Sequence, residues 1–369
     1  MNNYKGENMI NLKKVGLTAL AGSLAAVSAQ AGEFAVSGGH VTTYTTGDSG
    51  SNSAQGIGSK TNVNFAGSGE LDNGWSVSTF VLQNDASTGL SSSAATMTMG
   101  DMGTVGVSKG GGFNVNGGYD ETYPRAYEEN SDAGGQSSLN SVGNWADDNA
   151  IIYKAPALDL MGATVSIGLE HSLQAGTATG SDGVGSARSD TYGKGTGLGV
   201  TVAYEGLTLG AYGAERENKN PSVADDVMDE FNGSWFVNYN FGPVSVGYQE
   251  TYFDAGLAHQ GNDLTTTEAK SVGLSGGIFT GEAMSIAFNV NDNLSISYSE
   301  TEDTYDSQAN TTTGGDGVDD VTSKTESIQV AYTMGSMSIN AYSTERTHNN
   351  YDSDVDKINV NEIAIGLAF

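Results

Sequence analysis

Apolar residues alternate with small or polar residues along most of the chain after residue 31, in short stretches that end at turn residues. In 198–204, for example, every second residue is Leu, Val or Tyr, and the residues between them are Gly, Thr and Ala. Successive side chains of a β-strand point to opposite faces, so this period of two predicts strands with one apolar face and one small or polar face. The pattern therefore predicts an all-β chain.

Tight turns and long polar connections also alternate along the sequence. Tight turns are predicted near Asp72, Asp101, Pro156, Glu205, Gly242, Asp292 and Gly335. Long polar connections are predicted at 46–60, 84–93, 110–148, 172–194, 215–231, 252–270, 301–324 and 344–358. This order predicts sixteen antiparallel strands with short turns at one end and long loops at the other. The Gly-rich stretch 272–278 could begin the twelfth strand or end the loop before it.

Composition indicates how these strands are arranged. Only 37% of the residues are hydrophobic, against about 45–50% in an ordinary globular domain. That is too few for a soluble sandwich of this length, and the uneven turn spacing is not that of a solenoid. A chain that crosses a membrane with strands must close them into a barrel, because an open edge would leave backbone groups unpaired. The net charge of -29 excludes nucleic acid as a partner.

The N-terminus is typical of a secretory signal peptide. Lys13 and Lys14 precede a short apolar run over 15–27, and Ala29-Gln30-Ala31 is an A-x-A cleavage site. We expect removal of residues 1–31, which leaves a single domain over 32–369, and Met9 is an alternative start. The absence of cysteine fits a protein that crosses an oxidising periplasm without disulfides.

Four stretches carry a resemblance to a known family: 32–38, 59–74, 97–105 and a C-terminal Phe369 preceded at alternate positions by Ile363, Ile365 and Leu367. In these stretches the chain resembles the general diffusion porins of Gram-negative bacteria, especially the α-proteobacterial type. The resemblance implies an outer-membrane homotrimer of sixteen-stranded barrels, each with its third loop folded into the lumen. It also implies that the alternating C-terminal residues are an assembly signal.

The third long loop is the main functional candidate. It contains the densest mixture of aromatic and charged residues in the chain, and we expect these to line a constriction: Asp120, Glu121, Tyr123, Arg125, Glu128 and Glu129. Lys60 and Lys154 are expected on the facing wall. Because carboxylates outnumber cations in this set, the sequence predicts a modest preference for cations.

Other motifs indicate neither catalysis nor a firm metal site. Residues 273–277 fit G-x-S-x-G but are interpreted as strand, and the four histidines are scattered. We therefore expect no enzymatic activity and no required cofactor. The outer loops could bind Ca²⁺ or Mg²⁺ loosely and so bridge to lipopolysaccharide phosphates, or they could simply be solvated. The carboxylates concerned are Asp316, Asp319, Asp320, Asp352, Asp354 and Asp356.

The sequence thus favours a passive channel for ions and small hydrophilic solutes. The alternative is an outer-membrane barrel with a structural or adhesive role that depends on its acidic loops. A barrel of sixteen strands favours the channel, since barrels of that size enclose water whereas eight-stranded barrels are filled by side chains.

Overall fold

The chain forms one closed antiparallel β-barrel. The computed structural model describes residues 27–29, 32–49, 52–85, 90–176, 192–219, 228–308 and 318–369. The strands are β1 Val27–Ala29, β2 Gly32–Ser49, β3 Asn52–Glu70, β4 Ser76–Asn84, β5 Ser92–Thr98, β6 Thr104–Lys109, β7 Ala150–Lys154, β8 Leu158–Leu160, β9 Ala163–Ser172, β10 Tyr192–Tyr204, β11 Leu207–Asn218, β12 Glu230–Phe241, β13 Val244–Asp254, β14 Ile278–Asn291, β15 Leu294–Asp306, β16 Val321–Met334, β17 Met337–Thr347 and β18 Ile358–Ala368. Short 3-10 turns occupy Gly100–Met102, Asn116–Gly118, Asn130–Ala133, Ser138–Asn140, Asn144–Asp147, Gly261–Leu264 and Asn349–Tyr351.

Neighbouring strands pair in chain order, and β18 pairs with β2 to close the barrel, with Glu362 opposite Thr45. The three-residue strand β1 pairs with the start of β2. Strands β7 and β8 both pair with β9 and together make one interrupted wall strand. The wall therefore has sixteen strands, which confirms the predicted count.

Two predicted connections are wrong. The stretch 46–60 is not a long loop, because β2 and β3 pair as far as Ser49 opposite Asn52. Its Ser, Thr and Gly residues resemble a loop in composition, yet strand pairing uses backbone groups and does not require apolar side chains. The turn expected near Pro156 lies instead at Met161–Gly162, where both residues have positive φ (57° and 90°). Pro156 marks the break between β7 and β8, since proline has no N–H to donate to the ladder.

The Gly-rich stretch before β14 belongs to the preceding loop, because that strand begins at Ile278. The G-x-S-x-G residues 273–277 therefore lie in a loop, and their interpretation as strand is wrong. Within the part of the chain that the structure describes, no helix has the length and apolar content needed to cross a membrane.

The wall strands have two unlike faces. In β14, Met284, Ile286 and Phe288 are exposed, whereas Ala283 and Ala287, which alternate with them, are buried. We call the face of the first set the apolar face and the face of the second set the polar face, because most strands carry small or polar residues there. This alternation continues on both sides of β14, as the sequence predicts.

Candidate functional site

The long connection between β6 and β7, residues 110–149, leaves the wall through two glycines. Gly110 and Gly111 have φ values of 60° and 68°, in the left-handed region that glycine adopts without strain. The Gly111 N–H donates to the Asp147 carbonyl at 3.0 Å and the Gly110 N–H to the Asp148 carboxylate at 3.2 Å. These bonds tie the two ends of segment 110–149 together, so that the part between them forms a closed loop.

One end of segment 110–149 packs against the polar face of β9–β12. Glu170 of β9 accepts the N–H groups of Val115 and Asn116, and it also accepts the Tyr212 hydroxyl at 2.8 Å. The rings of Tyr119 and Tyr212 lie 5.3 Å apart. A continuous buried cluster surrounds them, formed by Val115, Tyr119, Val142, Trp145, Ala146, Ala150, Ile152, Ala175, Tyr212, Ala214 and Phe236. We call this the filled side of the barrel.

Glycines on the polar face let segment 110–149 lie this close to the strands, because glycine has no Cβ. A Cβ on Gly199 would lie 2.5 Å from a ring carbon of Tyr119, and one on Gly168 would lie 2.5 Å from a methyl of Val115. The small residues of the polar face therefore match the large residues of the segment in shape.

The middle of segment 110–149 is held by side chains of the later strands. Gln249 donates to the Tyr119 carbonyl at 2.7 Å, and Ser297 accepts the Ala126 N–H at 2.9 Å. Gln329 accepts the Tyr127 N–H at 2.8 Å. Each contact satisfies a backbone group of a segment that has no strand partner of its own, so the segment has a fixed position.

Two charged residues anchor the far part of the segment. Asp303 of β15 accepts the Ser138 N–H and the Ser137 hydroxyl, both at 2.7 Å, and the Tyr351 hydroxyl at 2.8 Å. Arg346 of β17 donates to the carbonyls of Asn130 and Gly134. Both side chains are buried, so their hydrogen bonds are strong and costly to break.

A polar cavity of about 580 Å³ remains on the other side of the segment. It lies between residues 127–132 and strands β17, β18, β2 and β3, and we call this the open side. Its charged lining comprises Glu128 and Asp132 from the segment, Glu362 from β18, and Lys60 from β3. Tyr127 and Tyr342 also line it, with ring centroids 6.3 Å apart.

The structure divides the residues that the sequence predicted for a constriction. Lys60 and Glu128 line the cavity, facing it from the wall and from the segment. The other six predicted residues do not line it. Lys154 lies behind the segment on the filled side, with its Nζ 4.5 Å from the centre of the Phe113 ring.

The remaining predicted residues interact with one another inside the segment. Glu121 is buried and accepts the hydroxyls of Tyr123 and Ser131. Arg125 forms a salt bridge with Glu129 and lies 5.6 Å from the centre of the Tyr123 ring. One oxygen from each of Asp120, Glu121 and Glu129 falls within 4.8 Å of the others. Because Arg125 already neutralises one of the three carboxylates, this part of the segment carries less negative charge than its sequence indicates.

Glu128 is in a different situation from the other carboxylates of the segment. Its burial, together with a hydrogen bond to Asp132 and the nearby charges of Asp132 and Glu362, raises its pKa to about 8. Burial and neighbouring negative charge both disfavour the ionised form of a carboxyl group. Glu128 is therefore largely protonated at neutral pH, and it gains its charge only in alkaline solution.

Sequence reasoning missed four charged side chains on the polar face: Glu170, Asp303, Arg346 and Glu362. All four belong to strands, whereas the aromatic and charged residues that indicated a site in the sequence lie in the loop. A signal was available, because Glu170 follows Gly168, and Glu362 precedes Ala364 and Gly366, on faces that otherwise carry small residues. A lone charged residue in such a row has either a buried partner or a polar cavity in front of it.

The predicted assembly residues have the expected orientation. Ile363, Ile365 and Leu367 are exposed on the apolar face of β18, and the Phe369 N–H and carbonyl pair with the backbone of Gly38 in β2. Their role in assembly stays a prediction.

The acidic loop residues lie partly outside the described residues, since Asp316 falls among those that the structure does not describe. Asp319 and Asp320 precede β16, and the Asp352 carboxylate accepts the Asp354 N–H at 3.0 Å. Binding of Ca²⁺ or Mg²⁺ by the outer-loop carboxylates stays a prediction, as does cleavage after residue 31.

Comparisons with known proteins relate this architecture to solved structures. No protein-family model and no curated protein sequence matches the chain. Salmonella typhi OmpF, solved in complex with daunomycin, is similar over 94% of this chain and 100% of that chain, with a TM-score of 0.68 and 12% identity. The chain has the fold of the general porins.

Two further structures extend the similarity. An anion-selective porin from Comamonas acidovorans gives a TM-score of 0.59 at 14% identity, over 91% of this chain and 100% of that chain. OmpT of Vibrio cholerae, expressed in the outer membrane, gives 0.58 at 13% identity, over 94% of this chain and 100% of that chain. At such low identity the porin fold is shared while the pore-lining residues are free to differ.

Proposed function

We propose that the protein is an outer-membrane channel for passive diffusion of ions and small hydrophilic solutes, without enzymatic activity. The observation that carries the proposal is the polar cavity of about 580 Å³ on the open side of a closed barrel. A barrel with the porin fold encloses space for water, and this cavity is the part of that space lined by charged and hydroxyl-bearing side chains.

The hydrogen-bond partners of segment 110–149 support a position inside the lumen. The segment hydrogen-bonds polar-face side chains of β9, β10, β12, β13 and β15 to β18. A single segment can reach strands so far apart around a barrel only from within it. The segment then fills the side along β9–β12 and leaves the path for solutes along β17, β18, β2 and β3.

The apolar face supports insertion in a membrane. Large apolar side chains on this face are exposed, including Leu198, Trp235, Met284, Ile286, Ile296 and Ile328. Further along β13–β15 the same face changes to carboxylates, since Glu250, Glu282 and Glu302 lie opposite one another in a single cross-strand row. An apolar band that ends at charged residues is the pattern of a strand surface that meets lipid and then water. With the predicted signal peptide, this supports an outer-membrane location in a Gram-negative bacterium.

The apolar face of β3–β6 supports assembly as a homotrimer. Small residues border a shallow groove of about 620 Å³ here, among them Gly67, Gly69, Thr79 and Ala95, beside the larger Val107 and Ile151. Small side chains let two walls approach closely, whereas the large residues of β12–β15 suit disordered lipid chains. Native mass spectrometry of the detergent-solubilised protein should give the mass of three chains, and a purely monomeric spectrum would contradict the trimer.

We expect the channel to prefer cations modestly. The cavity has three carboxyl groups, Glu128, Asp132 and Glu362, against Lys60. Because Glu128 is largely protonated at neutral pH, the excess of negative charge in the cavity is small at that pH. The net charge of -29 adds a diffuse attraction for cations that weakens as salt rises.

Reconstitution in planar lipid bilayers tests the proposal. The purified protein should give stepwise conductance increments, and liposomes containing it should swell in small sugars but not in large ones. A protein that inserts as a folded barrel and gives no conductance would contradict the channel and favour a structural or adhesive role.

A further inference from the structure

Glu362 is the best-positioned carboxylate of the open side. The Tyr127 hydroxyl donates to its Oε1 at 3.1 Å, and the Thr45 hydroxyl donates to its Oε2 at 3.0 Å. Thr45 belongs to β2, directly opposite Glu362 across the seam that closes the barrel, and Tyr127 belongs to segment 110–149. Two neutral donors, one per oxygen, fix the carboxylate without cancelling its charge. Among the described residues, no Lys or Arg forms an ion pair with Glu362.

The carboxylates of the segment are less able to act on a passing ion. Glu129 is paired with Arg125, and Glu121 is buried behind Tyr123 and Ser131. Asp132 is exposed, but its carboxylate accepts the Glu129 N–H at the start of the 3-10 turn Asn130–Ala133. Part of its hydrogen-bonding capacity is therefore used within the segment. Of the carboxylates that the structure describes, Glu362 alone combines a wall position, two donors and a place on the cavity lining.

We propose that Glu362 is the principal selectivity-determining residue of the channel, and that Tyr127 is the positioning residue that holds it. This inference rests on the proposed function, because it assigns a role within the same passage. A fixed negative charge on one wall, opposed by Lys60 on β3, acts on ions through little water and is therefore weakly screened.

Glu128 then acts as a second charge that depends on pH. The titratable or charged groups around it come from the segment and from three strands. They are Tyr127, Glu129 and Asp132 of the segment, Tyr342 of β17, Glu362 of β18 and Lys60 of β3. The neighbouring carboxylates disfavour ionisation of Glu128, which therefore holds its proton to a higher pH than an ordinary glutamate. Cation preference should therefore rise when the pH increases from 6 to 9.

Reversal potentials in a tenfold KCl gradient test this division, with the full-length mature protein in planar bilayers. At pH 6 we expect Glu362→Gln to reduce the reversal potential at least twofold and Glu128→Gln to leave it unchanged. At pH 9 both substitutions should reduce it. The control is Glu345→Gln, which removes a carboxylate from the apolar face of β17 where it pairs with Lys357, and which should have no effect at either pH.

Tyr127→Phe provides a second variant in case Glu362→Gln does not assemble. It removes the hydroxyl donor but keeps the ring beside Tyr342. At pH 6, where Glu128→Gln has no effect, the variant should show a smaller reversal potential than the wild type, because the Glu362 carboxylate has lost one of the two donors that fix it. A residue that only packs the segment would change conductance and leave the reversal potential at pH 6 unchanged.

The outcomes are distinct. If the wild type conducts and Glu362→Gln conducts with an unchanged reversal potential at pH 6, the role of Glu362 is refuted while the channel stands. If the folded wild type does not conduct, the proposed function itself fails. An unchanged reversal potential at pH 6 in Tyr127→Phe, with normal conductance, would overturn the positioning role of Tyr127.

Discussion

The filled side and the open side of the barrel carry the same kind of acidic residue in opposite environments. On the filled side, Glu170 is 0% exposed and accepts three hydrogen bonds that hold segment 110–149 against β9. On the open side, Glu362 also stands on the polar face of a strand, yet it lines a cavity. The role of a polar-face carboxylate therefore depends on whether the segment covers it. Covered carboxylates hold the segment, and in the proposed channel uncovered ones would face the solutes.

The largest effect should follow from loss of the filled-side anchor. Glu170→Ala leaves the N–H groups of Val115 and Asn116 and the Tyr212 hydroxyl without their acceptor. At roughly 1–3 kcal/mol for each unsatisfied buried donor, the free energy of unfolding should fall by about 3 kcal/mol or more. Urea titration of the protein folded into lipid vesicles measures it. Glu345→Ala, which breaks a surface pair with Lys357, should cost at most about 1 kcal/mol.

A smaller effect should follow from crowding the filled side. Gly199→Ala would place a methyl 2.5 Å from Tyr119, so we expect a loss of about 1–3 kcal/mol in the free energy of unfolding. Gly56→Ala, in β3, is the matched control, because a Cβ there would meet nothing within 4 Å. Equal stabilities of the two variants would mean that the segment does not pack tightly against β10.

The smallest effect should distinguish the two predicted lysines. Lys60→Gln removes the cation of the open side and should raise the ratio of cation to anion permeability by about twofold. Lys154→Gln removes a cation that lies over the Phe113 ring behind the segment, and it should change the ratio much less. Reversal potentials measure both changes. A larger change in Lys154→Gln than in Lys60→Gln would show that ions pass along the filled side, and it would contradict the proposed path.

Much of the fold could be predicted from the sequence because strand faces follow a rule. Ile363, Ile365 and Leu367 face outward, as a period of two requires. The β2–β3 hairpin was mistaken for a loop because strands that extend past an apolar band need no apolar side chains, and residues 46–60 are mostly Gly, Ser and Thr. The break at Pro156 was mistaken for a turn because proline is compatible with both.

The candidate site was predictable only in part. The length and composition of 110–148 pointed to the segment that borders the cavity, and Lys60 shares the polar face with Asn62 and Asn64 as the alternation predicts. The orientation of Glu121, Glu128 and Glu129 was not predictable, since a segment without regular structure has no periodicity to assign faces. The pairing of Glu129 with Arg125 and the burial of Glu121 are tertiary outcomes.

In the proposed channel, solutes pass along β17, β18, β2 and β3 and not along β9–β12. The chain has no cysteine, so single cysteines can report which wall is in contact with the pore water. Asn62→Cys on β3 and Ala214→Cys on β11 both replace polar-face residues, the first on the cavity lining and the second in the buried cluster. The measurement is single-channel conductance before and after adding a water-soluble methanethiosulfonate reagent. We predict a stepwise fall for Asn62→Cys and no change for Ala214→Cys, and the reverse result would contradict the account.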